Sequence, residues 1–173
     1  QKSTGVDEYT GGETSADSFA LHFQNRLEGI ERTGDPDAWS GRGQYRVVGP
    51  IRAPHGLGLA AAFRRERGID PTISKVTIPG PSEITMMIEP PEVRPTLCPA
   101  VIDIIRREIG EFVEAGAADI QLDVPHIAMG LADGDWKTRR AVEVIREIFD
   151  GLRGVKRSLH LCYGDFGARS WVR

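Results

Sequence analysis

Cysteine is scarce in this chain: two thiols, Cys98 and Cys162, stand far apart in 173 residues. So sparse a pair argues against the disulfide framework of a small secreted domain and points to a reducing, cytoplasmic setting. An excess of basic charge is missing too. Lys and Arg number 22 against 25 Asp and Glu, for a formal net charge of −3 and a pI of about 5.8. Nucleic-acid and anionic-membrane surfaces demand a basic patch, so neither partner is expected. No apolar run approaches the ~20 residues that cross a bilayer, the longest lying around Leu57–Phe63. The opening Gln1-Lys2-Ser3-Thr4 has neither an initiator Met nor the apolar core of a secretion signal, and a processed or truncated chain is the expectation. No Gly-x-Gly-x-x-Gly follows the first strand-like run, so the dinucleotide-binding fingerprint is absent.

What is present is an ordinary globular composition, 40% hydrophobic and 27% charged, enough for one domain with a real core. Strand-like and helix-like segments alternate. The strand-like runs are Gly5–Glu13, Tyr45–Ile51, Lys75–Pro81, Asp119–Pro125 and Ser158–Gly164, each closed by Gly, Pro or a polar residue. Between them, Phe19, Phe23, Leu27 and Ile30 predict a helix over Ala16–Glu31, and Leu57–Arg67 a second one ended by Gly68. A helical turn is expected over Ser82–Ile88 and a loop at Pro90, Pro91 and Pro95. A long helix over Pro99–Ala115 has Val101, Ile104, Ile105, Ile109 and Phe112 as its buried stripe and Gly116 as its stop. A last helix is expected over Asp135–Leu152.

Strand–helix alternation implies a parallel sheet built from right-handed crossovers. The expected fold class is α/β, a (β/α)8 barrel of which residues 1–173 form a single partial domain covering about strands 2 to 6. Five units do not close eight strands. The remaining strands are expected from the same or another chain, or the chain assembles as a homo-oligomer, and alone it is expected to be inactive.

The chemistry-bearing residues share a location. Glu13, Ser82, Asp123, His160 and Cys162 all fall at or just beyond the C-terminal ends of expected strands, the face where barrel enzymes work. His160 and Cys162, two apart on a strand, point the same way and can chelate one ion. Imidazole plus thiolate is a zinc ligand set. The competing reading is a satisfied core histidine beside a small apolar cysteine. Asp123 reads equally as a turn or N-cap aspartate, Glu13 as a helix-start acid and Ser82 as a cap. His55 and His126 follow strand ends and are candidates for ligand contact, whereas His22 lies within a helical segment.

In order along the chain, four motifs resemble the C-terminal catalytic barrel of the cobalamin-independent methionine synthase superfamily. Gly5–Glu13 resembles the strand ending in Gly-Glu, and KVTIPGPS (Lys75–Ser82) the Gly-Pro strand end. IQLDVP (Ile120–Pro125) resembles the I-Q-x-D-E-P strand, and LHLCYG (Leu159–Gly164) the His-x-Cys zinc strand. The resemblance implies a zinc ion, held by His160 and Cys162 together with a Glu and a second Cys from strands beyond Arg173. That zinc would keep a substrate thiol as the thiolate that attacks an electrophilic carbon. It further implies that Glu13 and Asp123 hold the amino group of homocysteine and that a folate serves as methyl donor. Ser82 and His126, by their place after strand ends, are expected to line the same substrate pocket. The sequence departs from the pattern at three places. Val124 stands where the family has Glu, Met129 where methionine synthases tend to carry an acid, and no Trp follows Gly80-Pro81. Fewer acids suit the related epoxyalkane:coenzyme M transferases, whose thiol carries a sulfonate. A non-catalytic split or degenerate barrel piece that packs with a partner is the reading from another class.

Overall fold

The structure is a computed structural model that describes residues 2–11, 21–33, 44–125, 127 and 136–161. Its centre is a parallel three-stranded sheet in the order β3 (Lys75–Pro79), β5 (Asp119–Asp123) and β6 (Lys156–His160). These are three of the expected runs, and they pair in strict register from Lys75–Asp119–Lys156 at one end to Pro79–Asp123–His160 at the other. The crossovers are helical. α4 (Arg94–Glu114) links β3 to β5, and α5 (Trp136–Phe149) links β5 to β6.

Side chains alternate across a strand, so each register row lies wholly on one face. Val76, Ile78, Ile120 and Leu122 point to one side and share a single buried core with Phe63 of α2 (Leu59–Ile69) and Ile105, Ile109 and Phe112 of α4. Phe63 and Phe112 meet edge to face, centroids 6.0 Å apart. The other face carries Lys75, Thr77 and Pro79, then Asp119, Gln121 and Asp123, then Lys156, Ser158 and His160. This polar face positions the site.

α4 starts at Arg94, earlier than the sequence suggests, because Pro95 sits in its first turn, where a missing N–H is harmless. Its end is as expected: Gly116, at φ +87°, donates to Val113 O at 2.9 Å, and Ala117 donates to Phe112 O at 3.0 Å. Those two bonds form a Schellman stop. α2 runs two residues past Arg67, so Gly68 lies in its last turn and Asp70 caps it.

Two expectations are corrected. Among the described residues the helix expected over Ala16–Glu31 survives only as α1 (Leu21–Gln24), and β1 (Glu28–Thr33) follows. Phe23 and Leu27 still reach the core, but Gly29 adopts φ +84° and packs against the Pro50 carbonyl, a conformation and an approach that a helix cannot supply. β1 instead forms an antiparallel pair with β2 (Gln44–Arg52). The Tyr45–Ile51 run therefore leaves the parallel set: β2 joins β1 and the short β4 (Ile88–Glu89) in a separate sheet, reached past α3 (Pro81–Thr85). The second correction concerns the first run. Residues 6–11 form no strand; Tyr9 O accepts instead from Ser74 N at 3.3 Å and Lys75 N at 3.2 Å, laying the segment beside the start of β3.

Candidate metal and substrate site at the strand ends

The C-terminal row of the polar face holds two of the expected residues. Asp123 and His160 are direct register partners on β5 and β6. Asp123 is buried, His160 is half exposed, and His160 Nδ1 faces Asp123 Oδ1 at 3.5 Å. Gln121, two residues back on the same face, donates from Nε2 to that same Oδ1 at 2.8 Å. The backbone locks the row in place: Gly80 N donates to Asp123 O at 2.8 Å and Val124 N to His160 O at 3.0 Å.

Ser82 lies on α3, just beyond the end of β3, and its side chain is exposed. The neighbouring Glu83 turns inward instead, only 2% exposed. A Cβ added to Gly80 would lie 2.6 Å from Val124 Cγ1, 2.8 Å from Glu83 Oε2 and 3.2 Å from Asp123 O. Glu83 and Val124 thus converge on a glycine that leaves them the space. Thr85 closes α3 by donating from Oγ1 to Pro81 O at 2.8 Å. His55 follows β2 and is exposed. Glu13, His126 and Cys162 lie outside the described residues, as does the side chain of His22.

The opposite end of the polar face is sealed by charge. Asp119 lies 3.4 Å from Lys75 and 3.1 Å from Lys156, and accepts from Ser158 Oγ at 2.7 Å. Glu8 joins at 2.7 Å from Lys156 and 3.8 Å from Lys75. Burial alone would push the Asp119 carboxyl up. The hydrogen bonds from Ser158 and Lys156, with the charges of Lys75 and Lys156, outweigh it and hold the group below its ordinary value. Cys98, on α4, is raised by burial and by Glu147, against the opposing pull of Arg140. It sits partly buried against the core, as a structural thiol should.

Among the described residues no group of three or more His, Cys, Asp and Glu gathers as a metal site. The donors present nonetheless suit zinc. An imidazole whose Nδ1 looks toward a carboxylate has its Nε2 available, and a carboxylate behind a ligating histidine is a recurrent zinc arrangement. Two residues escaped the sequence reading. Gln121 was legible in principle, because Asp119, Gln121 and Asp123 form a polar stripe at period two on a strand whose other face is Ile120 and Leu122. Glu83 carries no such signal, since an acid in a helix's first turn ordinarily faces water.

No family model matches the chain. By sequence it is 32% identical over 168 residues to a methionine synthase of Saccharolobus solfataricus and 31% identical to one of Sulfurisphaera tokodaii, in each case across 94% of this chain and 48% of the relative. By structure it matches a B12-independent methionine synthase from a Shewanella species, solved in complex with selenomethionine, with a TM-score of 0.74 at 23% identity, across 95% of this chain and 48% of that one. The chain spans about half the length of the curated relatives it matches. The four ordered motifs and these matches agree: over nearly all of its length this chain is similar to methionine synthases, and its fold is similar to that of a B12-independent one.

Proposed function

We propose that this chain supplies part of the catalytic barrel of a zinc-dependent enzyme that transfers a methyl group to the thiol of homocysteine. The observation that carries the reading is the Asp123–His160 row at the C-terminal end of a parallel sheet, on the face turned away from the helices. Residues 1–173 form one partial domain of a (β/α)8 barrel. Because β2 stands outside the parallel set and residues 6–11 form no strand, three of the five expected strands make up the parallel sheet among the described residues. The remaining strands come from the same or another chain.

His160 and Cys162 would hold the metal, with further ligands from the missing strands. Zinc, when bound, supplies a Lewis acid that keeps a substrate sulfur deprotonated near neutral pH, where a free thiol of pKa ~8.5 is mostly protonated. Asp123 and Glu13 hold the substrate's ammonium group, and Ser82 and His126 line the same pocket. The polar face orients the thiol toward its alkyl donor, a folate in the methionine synthase reading. One observation favours a second acceptor. Val124, buried and apolar, closes the end of β5 where the family motif has an acid, which suits a thiol such as coenzyme M.

The test is product analysis on the full protein supplied with zinc. With methyl-tetrahydropteroylglutamate and homocysteine the proposal expects methionine, lost in His160→Gln. Alkylated coenzyme M from an epoxide would support the second acceptor. Failure of both reactions with zinc bound would remove the transferase reading.

A further inference from the structure

Resting on the zinc reading above, we propose that Gln121 and Asp123 are positioning residues for His160. Gln121 holds the Asp123 carboxylate, and that carboxylate fixes the imidazole with Nδ1 toward β5, leaving Nε2 as the nitrogen offered to a metal. Neither assignment follows from the role of Asp123 toward an amino group.

The geometry supplies each link. Asp123 and His160 are register partners on neighbouring parallel strands, which lie about 4.8 Å apart, so their side chains stand side by side on one face. Nδ1 and Oδ1 face each other at 3.5 Å. That is longer than a formed N–H···O bond, and a small rotation of the half-exposed ring closes it. Oδ1 is already held from the other side by the Gln121 amide at 2.8 Å. A carboxylate only accepts, and a neutral imidazole carries one N–H. The N–H is therefore drawn to Nδ1, and the lone pair stays on Nε2. A metal-ligating histidine is commonly oriented by such a contact, whose loss costs about 10–100-fold in metal affinity.

Gln121 is suited to its part. It sits between Thr77 and Ser158 in the row behind Asp123, and its side chain is partly buried, so its amide is confined. The chain Gln121–Asp123–His160 thus crosses two strands whose backbones are fixed in register.

The test is the tautomer of His160 in the metal-free full protein, read from long-range ¹H–¹⁵N correlations with ¹⁵N-labelled histidine at a pH where the ring is neutral. His160 is identified among the four histidines by its loss in His160→Gln. The proposal expects the Nδ1–H form, a shift toward Nε2–H in Asp123→Ala, and a mixture in Gln121→Leu. Competition titration with zinc alone should show affinity lower by about 10–100-fold in Asp123→Ala and by a smaller factor in Gln121→Leu. Wild-type protein in the Nε2–H form overturns the proposal whatever the variants do. So does a Gln121→Leu protein with unchanged tautomer and zinc affinity. A correct tautomer in a protein that alkylates no thiol would sink the transferase reading and leave the positioning chain standing.

Discussion

Glu108 of α4 accepts from the backbone N–H of Leu57 at 2.7 Å and, through its other oxygen, from that of Ala60 at 2.8 Å. Glu108 is 1% exposed, so one buried carboxylate neutralises the otherwise open start of α2, whose N-cap residue Gly58 offers no side chain. Deleting it leaves two buried donors unsatisfied. Glu108→Ala is expected to cost about 3 kcal/mol, and Glu108→Gln, which keeps one acceptor, about half of that. Urea unfolding checks this, and an unchanged midpoint in Glu108→Ala would refute the capping role.

The Asp119 cluster predicts an acid-sensitive fold. A carboxyl held below its ordinary value in the folded state contributes stability that is fully present above the unfolded value of about 3.9 and is lost as pH falls through the lower, folded one. Lys156 works from the other side. The Glu8 hydrogen bond first, then that from Asp119, raise it, so its contribution holds below its unfolded value and fades as pH climbs through the raised one. Thermal unfolding from pH 7 down to pH 2 should fall less steeply in Asp119→Asn than in wild type. Parallel curves would show that the cluster is inert.

Gly80 predicts a steric effect without backbone strain, since its φ of −72° is open to any residue. The methyl of Gly80→Ala meets Val124, Glu83 and the Asp123 carbonyl together. Overpacking of this kind costs about 1–3 kcal/mol. It should also loosen zinc binding by displacing the strand end that carries Asp123. A variant with wild-type stability would mean that Glu83 and Val124 yield freely.

Acceptor choice has its own test. In zinc-saturated protein, Asp123→Asn should weaken an amino-acid thiol by about 1.5–3 kcal/mol, the scale of a charged hydrogen bond. A sulfonate thiol should be unaffected or bind better. Unchanged homocysteine affinity would argue against the ammonium-holding role.

The parallel core was legible because β3, β5 and β6 are short runs with strong punctuation, Pro79-Gly80 and Val124-Pro125 closing two of them. α4 was legible from its stripe and Gly116. The β1–β2 pair was not. Phe23, Leu27 and Ile30 satisfy a helical period, and only the return of β2 against β1 across Gly29 decides for strand, a contact between distant segments that local spacing cannot report. The site was half legible. Asp123 and His160 lie side by side at the strand ends, and Ser82 lies at the expected strand end but faces solvent. Gln121 was marked in the sequence only by the period-two polar stripe, and Glu83 is visible only through packing. Glu13, His126 and Cys162 fall outside the described residues.

The central claim, that this chain helps hold a zinc ion which receives a substrate thiol, is tested most directly by zinc X-ray absorption on the full protein with and without homocysteine. The account predicts nitrogen and sulfur neighbours in the free state, with nitrogen lost in His160→Gln. Addition of homocysteine should bring one further sulfur at about 2.3 Å. A zinc environment unchanged both by His160→Gln and by homocysteine would contradict it.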